Sequence, residues 1–237
     1  MATYACSDLH GRLDLLKQIQ SFLKPEDKVY YLGDAGDRGS EPWKTIKEIA
    51  ADNRFIYIKG NHEDMLVKAM EDYIKYEHIG QAFALLAQNG GGETFLQWNQ
   101  EEQKMGWYSY LKKLPTYFIY TNTQGCKIYL SHAGFNPMQN DAIPDDDDLL
   151  WDREHFLIRK PKFNSNELVV HGHTPIPILF ARTHWSDEQF QWGGGAYWYA
   201  NDHKVDLDCG SVATGRTVLL DLDTFDEQIF IVEKESN

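Results

Sequence analysis

Five short stretches of this 237-residue chain set aspartate, histidine and asparagine beside glycine. They are Asp8-Leu-His10-Gly11, Gly33-Asp34-Ala-Gly-Asp37-Arg38-Gly39, Gly60-Asn61-His62-Glu63, Ser131-His132-Ala-Gly134 and His171-Gly-His173-Thr-Pro175. Carboxylate, imidazole and amide oxygen without thiolate suit Mn²⁺, Fe or Zn²⁺ in a catalytic rather than a structural site. Asp8, His10, Asp34, Asn61, His132 and His173 are too many side chains for one open site and suit two ions. One carboxylate must then bridge ions roughly 3.5–4 Å apart, a spacing that stabilises both the attacking and the leaving oxygen of a displacement. Any one stretch is weak evidence, because Asp-x-His arises by chance. All five in order, each after an apolar run, point to a metal centre.

The elements that must hold these residues follow from the apolar pattern. Thr3 to Ser7, Val29 to Leu32 and Phe55 to Lys59 read as strands. Leu13, Leu16, Ile19, Phe22 and Leu23 recur at helical spacing, a second helix starts near Pro42, where proline suits a first turn, and a third near Glu63. This β-α-β-α-β order predicts parallel strands under covering helices, with the first three motifs at the carboxyl ends of the strands, where sites gather in open α/β sheets. Tyr73 to Leu114 reads as a helical cap inserted between strands and interrupted by Asn89-Gly-Gly-Gly92. The remainder is β-rich, with strands expected at Tyr117 to Tyr120, Lys127 to Ser131, Leu168 to Val170, Val205 to Leu207, Thr217 to Leu220 and Gln228 to Val232. The four carboxylates Asp145 to Asp148 read as a solvated loop, since consecutive side chains do not converge on one ion.

Composition narrows the partners. Thirty-six acidic against 23 basic residues give a formal charge of -13, which repels nucleic-acid phosphates and anionic lipid. No nucleic-acid partner and no membrane association are therefore expected, and no apolar run approaches the roughly 18 residues of a membrane helix. The mean hydropathy of -0.53 with 14% aromatics fits a well-packed globule, read as one domain over residues 1–237. Cys6, Cys126 and Cys209 lack metal or redox spacing, and Met1 to Asp8 lacks a basic region and an apolar signal core. Both observations lead to the expectation of a cytoplasmic protein with reduced thiols.

The motif set resembles the calcineurin-like metallophosphoesterases, and within them the phosphoprotein phosphatase branch, particularly the small bacterial and phage serine/threonine phosphatases. Asp8-x-His10, Gly33-Asp34-x-x-Asp37-Arg38-Gly39, Gly60-Asn61-His62-Glu63, His132 and Gly172-His173 carry the resemblance from Asp8 to His173. It implies an α/β fold built as a four-layer αββα sandwich. It also implies two divalent ions, Mn²⁺ foremost with Fe or Zn²⁺ as alternatives. Carried over by position, Asp8 and His10 go to one metal, Asn61, His132 and His173 to the other, and Asp34 bridges. Many relatives outside this branch end in Gly-His-x-His, whereas Pro175 stands here two residues after His173, which leaves the first metal fewer protein ligands. His171 is open between supporting a ligand, packing and direct ligation.

The implied reaction is hydrolysis of a phosphomonoester by a hydroxide held on the two ions and attacking phosphorus in line. Arg38, Arg153 and Asn61 are expected on the phosphate oxygens, where an arginine fork pairs well. His62, beside its ligating neighbour Asn61, is free to act as general acid on the leaving oxygen, with Asp37 orienting it. Glu63 is expected to support the first turn of the third helix. The substrate is expected to be a phosphorylated protein or a small phosphoester. Symmetrical diadenosine tetraphosphate hydrolysis is the enzymatic alternative. A metal-dead scaffold is the third reading, and it sits poorly with six intact ligands. One aromatic stretch stays outside this scheme: Trp185, Phe190, Trp192, Gly193-Gly-Gly195, Tyr197, Trp198 and Tyr199 read as a β-hairpin with a glycine-rich turn, either a substrate-facing flap or cover for a sheet edge.

Overall fold

The computed structural model describes residues 1–134, 145–153, 166–183 and 192–233, with backbone alone for 180–183. The N-terminal rhythm appears as β1 (Thr3–Cys6), α1 (Leu13–Phe22), β2 (Lys28–Tyr31), α2 (Pro42–Ala51), β3 (Phe55–Tyr57) and α3 (Asn61–Tyr76). β1, β2 and β3 pair in parallel, as the order of elements predicts. Two antiparallel strands, β9 (Arg216–Asp221) and β10 (Glu227–Ile231), complete a sheet of order β10-β9-β1-β2-β3. The second sheet has order β4-β5-β6-β8-β7, from β4 (Tyr117–Thr121), β5 (Lys127–Ser131), β6 (Glu167–His171), β7 (Tyr197–Tyr199) and β8 (Lys204–Asp206). Its inner strands β5, β6 and β8 are again parallel, with β4 and β7 antiparallel at the edges.

Alternation along the strands builds the layers. On β1 and β2, Cys6, Val29 and Tyr31 face a core shared with the helices, while Ala5 and, just past β2, Leu32 face a second core. That second core also takes Ile128, Leu130, Leu168, Val170 and Val205 from the other sheet, so it is the interface between sheets. Val169 points the opposite way, to Leu149 of α7 (Asp146–Trp151) on the far side. The result is the αββα sandwich.

Between β3 and β4 lie the remainder of α3 and the helices α4 (Gln81–Gln88), α5 (Gly92–Asn99) and α6 (Lys104–Lys112). Leu86, Phe95, Trp98 and Leu111 of this insertion are fully buried in the helix-side core, so it is part of the helical layer. Two local expectations are corrected. α3 starts at Asn61, two residues before Glu63, because Glu63, in the first turn, reaches back to accept the Gly60 N–H. Asp145 to Asp148 is a helix start: Asp145 accepts from the Asp148 N–H, and the acids that follow suit the positive end of α7.

The aromatic segment is also redrawn. Tyr197–Tyr199 is an edge strand pairing with β8 through a turn at Ala200, Asn201 and Asp202, all with positive φ, so that the turn lies after the aromatics and not at Gly193-Gly-Gly195. Trp185 and Phe190 lie outside the described residues. No described helix is long and apolar enough to cross a membrane.

Candidate metal centre

The three N-terminal loops are laced together before any metal is considered. Asp8, His10 and Gly11 N–H groups donate to the carbonyls of Gly33, Asp34 and Ala35 at 2.8–3.1 Å. Glu63 reaches across from the third loop. Its carboxylate accepts from the Asp34, Ala35 and Gly60 N–H groups and the Tyr57 hydroxyl at 2.8–2.9 Å. It therefore does more than support its own helix: it fixes the loop that carries Asp34. Six site residues hold left-handed backbone, Asp8 (φ 54), His10 (φ 44), Asp34 (φ 58), Asp37 (φ 69), Arg38 (φ 63) and His173 (φ 71). L-residues hold such conformations only where surrounding contacts over-determine them, and they cluster at functional sites. At Gly60 and Gly172 a Cβ would collide with the Asp34 and Asp8 carboxylates respectively. The backbone approaches there because no side chain intervenes.

The predicted ligands converge from both sheets. Asp34 Oδ2 lies 3.6 Å from His10 Nε2 and 3.4 Å from His132 Nε2. Asn61 Oδ1 lies 2.8 Å from His132 Nε2 and 3.0 Å from His173 Nδ1. Asp8 Oδ2 accepts from the His173 N–H at 3.1 Å, and Asp8 Oδ1 stands 4.0 Å from His10 Nε2. Among the described residues, two groups have potential ligand atoms within 4.8 Å of one another: His10, Asp34 and His62, and Asp34, His132 and His173. Asp34 belongs to both, as a bridging ligand must.

The donor set fits divalent metal ions. Asp8 Oδ1 is buried without a hydrogen-bond partner, an orphan that a cation satisfies. His10 and His132 donate through Nδ1 to the Gly36 and Leu32 carbonyls at 3.0 and 2.7 Å, which fixes the rings with each Nε2 turned toward Asp34. The electrostatics are those of a cluster prepared for positive charge. Burial, reinforced by Asp208, pushes the Asp8 carboxyl well above the usual range, and burial pulls His10 well below its own. Burial acts against charge on Asp34 as well, but His132 and His62 outweigh it and hold the carboxyl well below normal. His132 is driven up to about 10, since the Asp34 carboxylate overcomes the desolvation that opposes its protonation.

His62 is buried on the first turn of α3 and is tied on both sides. Its Nδ1–H donates to Asp37 Oδ2 at 2.6 Å, and its Nε2 lies 3.8 Å from Asp34 Oδ2 and 2.8 Å from Arg38 Nη2. By distance alone Nε2 thus joins the first group of ligand atoms, which the sequence did not foresee. Burial lowers its pKa, but Asp34 and Asp37 outweigh this and the net shift is upward. Arg38 also places Nη1 2.8 Å from His10 Nε2. Arg153, just after α7, places Nε 3.2 Å from His173 Nε2, so one arginine stands beside each ligand group. His171 points elsewhere: Nε2 pairs with the Tyr199 hydroxyl at 2.7 Å, and the residue is in neither group.

Three contributors were not singled out in the sequence. Asp208, buried after β8, lines a cavity of about 310 Å³ together with His10 and Arg38, and burial raises its carboxyl to about 6. Pro175, Pro177, Ile178, Val212 and Ala213 also line it. Ser211 donates its hydroxyl to the Asp8 carbonyl at 2.7 Å. Thr94 bonds to Asp37. Asp208 was findable, since Val205-Asp-Leu-Asp208-Cys-Gly210 repeats the grammar of an apolar run ending in Asp and Gly. Thr94 carried no such signal.

Residues 1–211 match the calcineurin-like phosphoesterase family, and the chain belongs to it. The fold is that of this family, and among the described residues two groups of His and Asp side chains could hold metal ions. One relative is the symmetrical bis(5'-nucleosyl)-tetraphosphatase of Marinomonas sp. (strain MWYL1), 28% identical over 131 residues. That alignment spans 53% of this chain and 46% of the relative, so the chain matches less than half of that protein's length. Among solved structures, a protein provisionally described as a diadenosine tetraphosphatase superposes with TM-score 0.65 at 17% identity, over 97% of this chain and 92% of its own. A metallophosphoesterase from Sphaerobacter thermophilus gives 0.58 at 17%, over 99% and 90%. At these identities the likeness is one of fold.

Proposed function

We propose that the chain hydrolyses phosphomonoesters of alcohols at a dinuclear centre, with phosphoserine or phosphothreonine in proteins as the substrate class. The observation that carries this reading is the His62–Asp37 pair. Serine and threonine leave as alkoxides of very high pKa, so they need a proton at departure, and a positioned general acid contributes about 10²–10⁴-fold. A nucleotide leaves far more easily and gains less from such a donor. The Nδ1–H bond to Asp37 leaves Nε2 as the working nitrogen, beside the bridging carboxylate.

Asp8, His10 and Asp34 would hold one ion, and Asp34, Asn61, His132 and His173 the other. Bound Mn²⁺, or Fe or Zn²⁺, would supply positive charge for the phosphoryl oxygens and acidify the attacking water. Arg38 and Arg153 serve as donors to the equatorial oxygens from the two ligand groups, assisted by the Asn61 amide. To reach phosphate, Arg38 must leave the His10 and His62 nitrogens, which also frees Nε2 of His62 to carry a proton. The cavity beside His10 and Arg38 would take the group attached to the phosphate. We place the protein in the cytoplasm on its three free thiols, Cys6, Cys126 and Cys209.

Symmetrical diadenosine tetraphosphate hydrolysis is the second reading, supported by the 28% identical tetraphosphatase. Comparison of kcat/KM for phosphopeptides, mononucleotides and diadenosine tetraphosphate on metal-loaded protein separates the two. Preference for phosphoserine or phosphothreonine peptides is the expected result. Preference for the dinucleotide transfers the assignment to the second reading.

A further inference from the structure

The glycine run Asn89-Gly-Gly-Gly92 and the helix it opens supply no ligand and no group that reaches phosphate. We propose that Thr94, at the start of α5, together with the turn before it, is a positioning residue for the Asp37–His62 pair. This rests on the reading of His62 as proton donor.

One oxygen of Thr94 pins Asp37 twice. The hydroxyl donates to Asp37 Oδ1 and accepts the Asp37 backbone N–H at 3.1 Å. Oδ2 is thereby left to the His62 Nδ1–H at 2.6 Å. The carboxylate can then neither rotate nor exchange its oxygens without losing a buried bond. Asp37 and Arg38 are consecutive left-handed residues, a backbone that needs restraint from outside itself. The turn provides it: the Arg38 N–H donates to the Gly90 carbonyl at 3.1 Å and its Nε to the Asn89 carbonyl at 3.4 Å.

The glycines are needed for the approach. A Cβ on Gly90 would stand 2.9 Å from Arg38 Cγ, and one on Gly91 2.5 Å from Asp37 Oδ2. The whole turn is seated on fully buried Leu86, Phe95 and Trp98, and Thr94 itself is fully buried. The helical insertion therefore acts on the chemistry from outside the ligand shell, by fixing the loop that carries both the orienting carboxylate and a phosphate arginine.

The test compares Thr94→Val, which keeps the shape and deletes the hydroxyl, with Thr94→Ser, which restores it. Thr94→Ala serves if the valine variant does not fold. Loss of a supporting contact of this kind costs roughly 10–100-fold. Thr94→Val should lose that factor in kcat/KM on phosphoserine peptide and less than about threefold on nitrophenyl phosphate, whose leaving group needs little help. Metal content should not change, and Thr94→Ser should recover most of the loss. A second readout is independent of turnover: the low-field proton of His62 Nδ1, identified by its absence in His62→Asn, measured on the full chain with diamagnetic Zn²⁺ added. It should shift or broaden in Thr94→Val and return in Thr94→Ser. Equal losses on both substrates with an unmoved proton, or failure of serine to rescue a folded protein, overturn the proposal. If His62→Asn itself shows no leaving-group asymmetry, the general-acid reading has failed, and the proton signal alone decides whether Thr94 positions the pair.

Discussion

Single residues divide the labour of the site according to which atoms they have free. His10 and His132 spend Nδ1 on a carbonyl and keep Nε2, while His62 spends Nδ1 on a carboxylate. A carbonyl fixes a ring, whereas a carboxylate also favours its charge, which suits His62 to the proton-donor role proposed for it. His62→Asn should therefore cost phosphoserine peptides about 10²–10⁴-fold and nitrophenyl phosphate much less, with metal retained. Loss of metal instead would assign Nε2 of His62 to the ligand set it approaches. Arg153→Ala should lower kcat/KM roughly 10–100-fold, as expected for one charge-assisted contact, and spare metal content. An unchanged kcat/KM would leave Arg153, an exposed residue, without a part in phosphate binding. Glu63 is a stability residue by the same logic. A glutamine there offers one acceptor oxygen to four donors, so Glu63→Gln should destabilise the fold by about 1–3 kcal/mol in a denaturant titration.

At the level of elements, the strand ends were legible because the same grammar repeats: an apolar run, then Asp or His, then Gly. β1, β2, β3, β5 and β6 all end in a predicted motif, and the side chains these motifs deliver come together. What was illegible depends on contacts between elements remote in sequence. Thr94 lies 57 residues from Asp37, and no periodicity announces their hydrogen bond. The role of Glu63 was legible only in part, since its cap is local and its hold on Asp34 is not. The hairpin was misplaced because glycine is a turn signal, yet here Ala200, Asn201 and Asp202 make the turn and Gly194 and Gly195 pass close to Arg216 and Glu227. Trp192 is half-buried against the core between the sheets, with its Nε1–H on the Gly195 carbonyl at 2.9 Å. Trp192→Ala should thus lower the melting temperature and change all substrates alike. A selective change between phosphopeptides and nucleotides would make the segment a substrate flap.

The molecule as a whole is acidic, and its centre gathers Asp8, Asp34 and Asp208 in a buried volume. Without metal, protons must stand in for part of the missing charge. His132, raised to about 10, is the clearest case. A raised histidine contributes stability that is complete below its unfolded value near 6.5 and is lost as pH climbs toward 10. Lys204, lowered to about 8 by burial, acts in the opposite sense only above pH 8. Metal-stripped protein should therefore lose melting temperature between pH 6.5 and 8, and protein saturated with Mn²⁺ should be higher throughout and flatter. Parallel profiles would mean that the cluster does not exchange protons for cations.

Asp34 stands where one carboxylate could join two ions into a single centre, and counting bound metal decides whether it does. Equilibrium dialysis against Mn²⁺ followed by elemental analysis should find two ions per wild-type chain and, in Asp34→Asn, loss of both or retention of one at most. Two ions retained by a folded Asp34→Asn, or fewer than two in the wild type at saturation, would contradict the account.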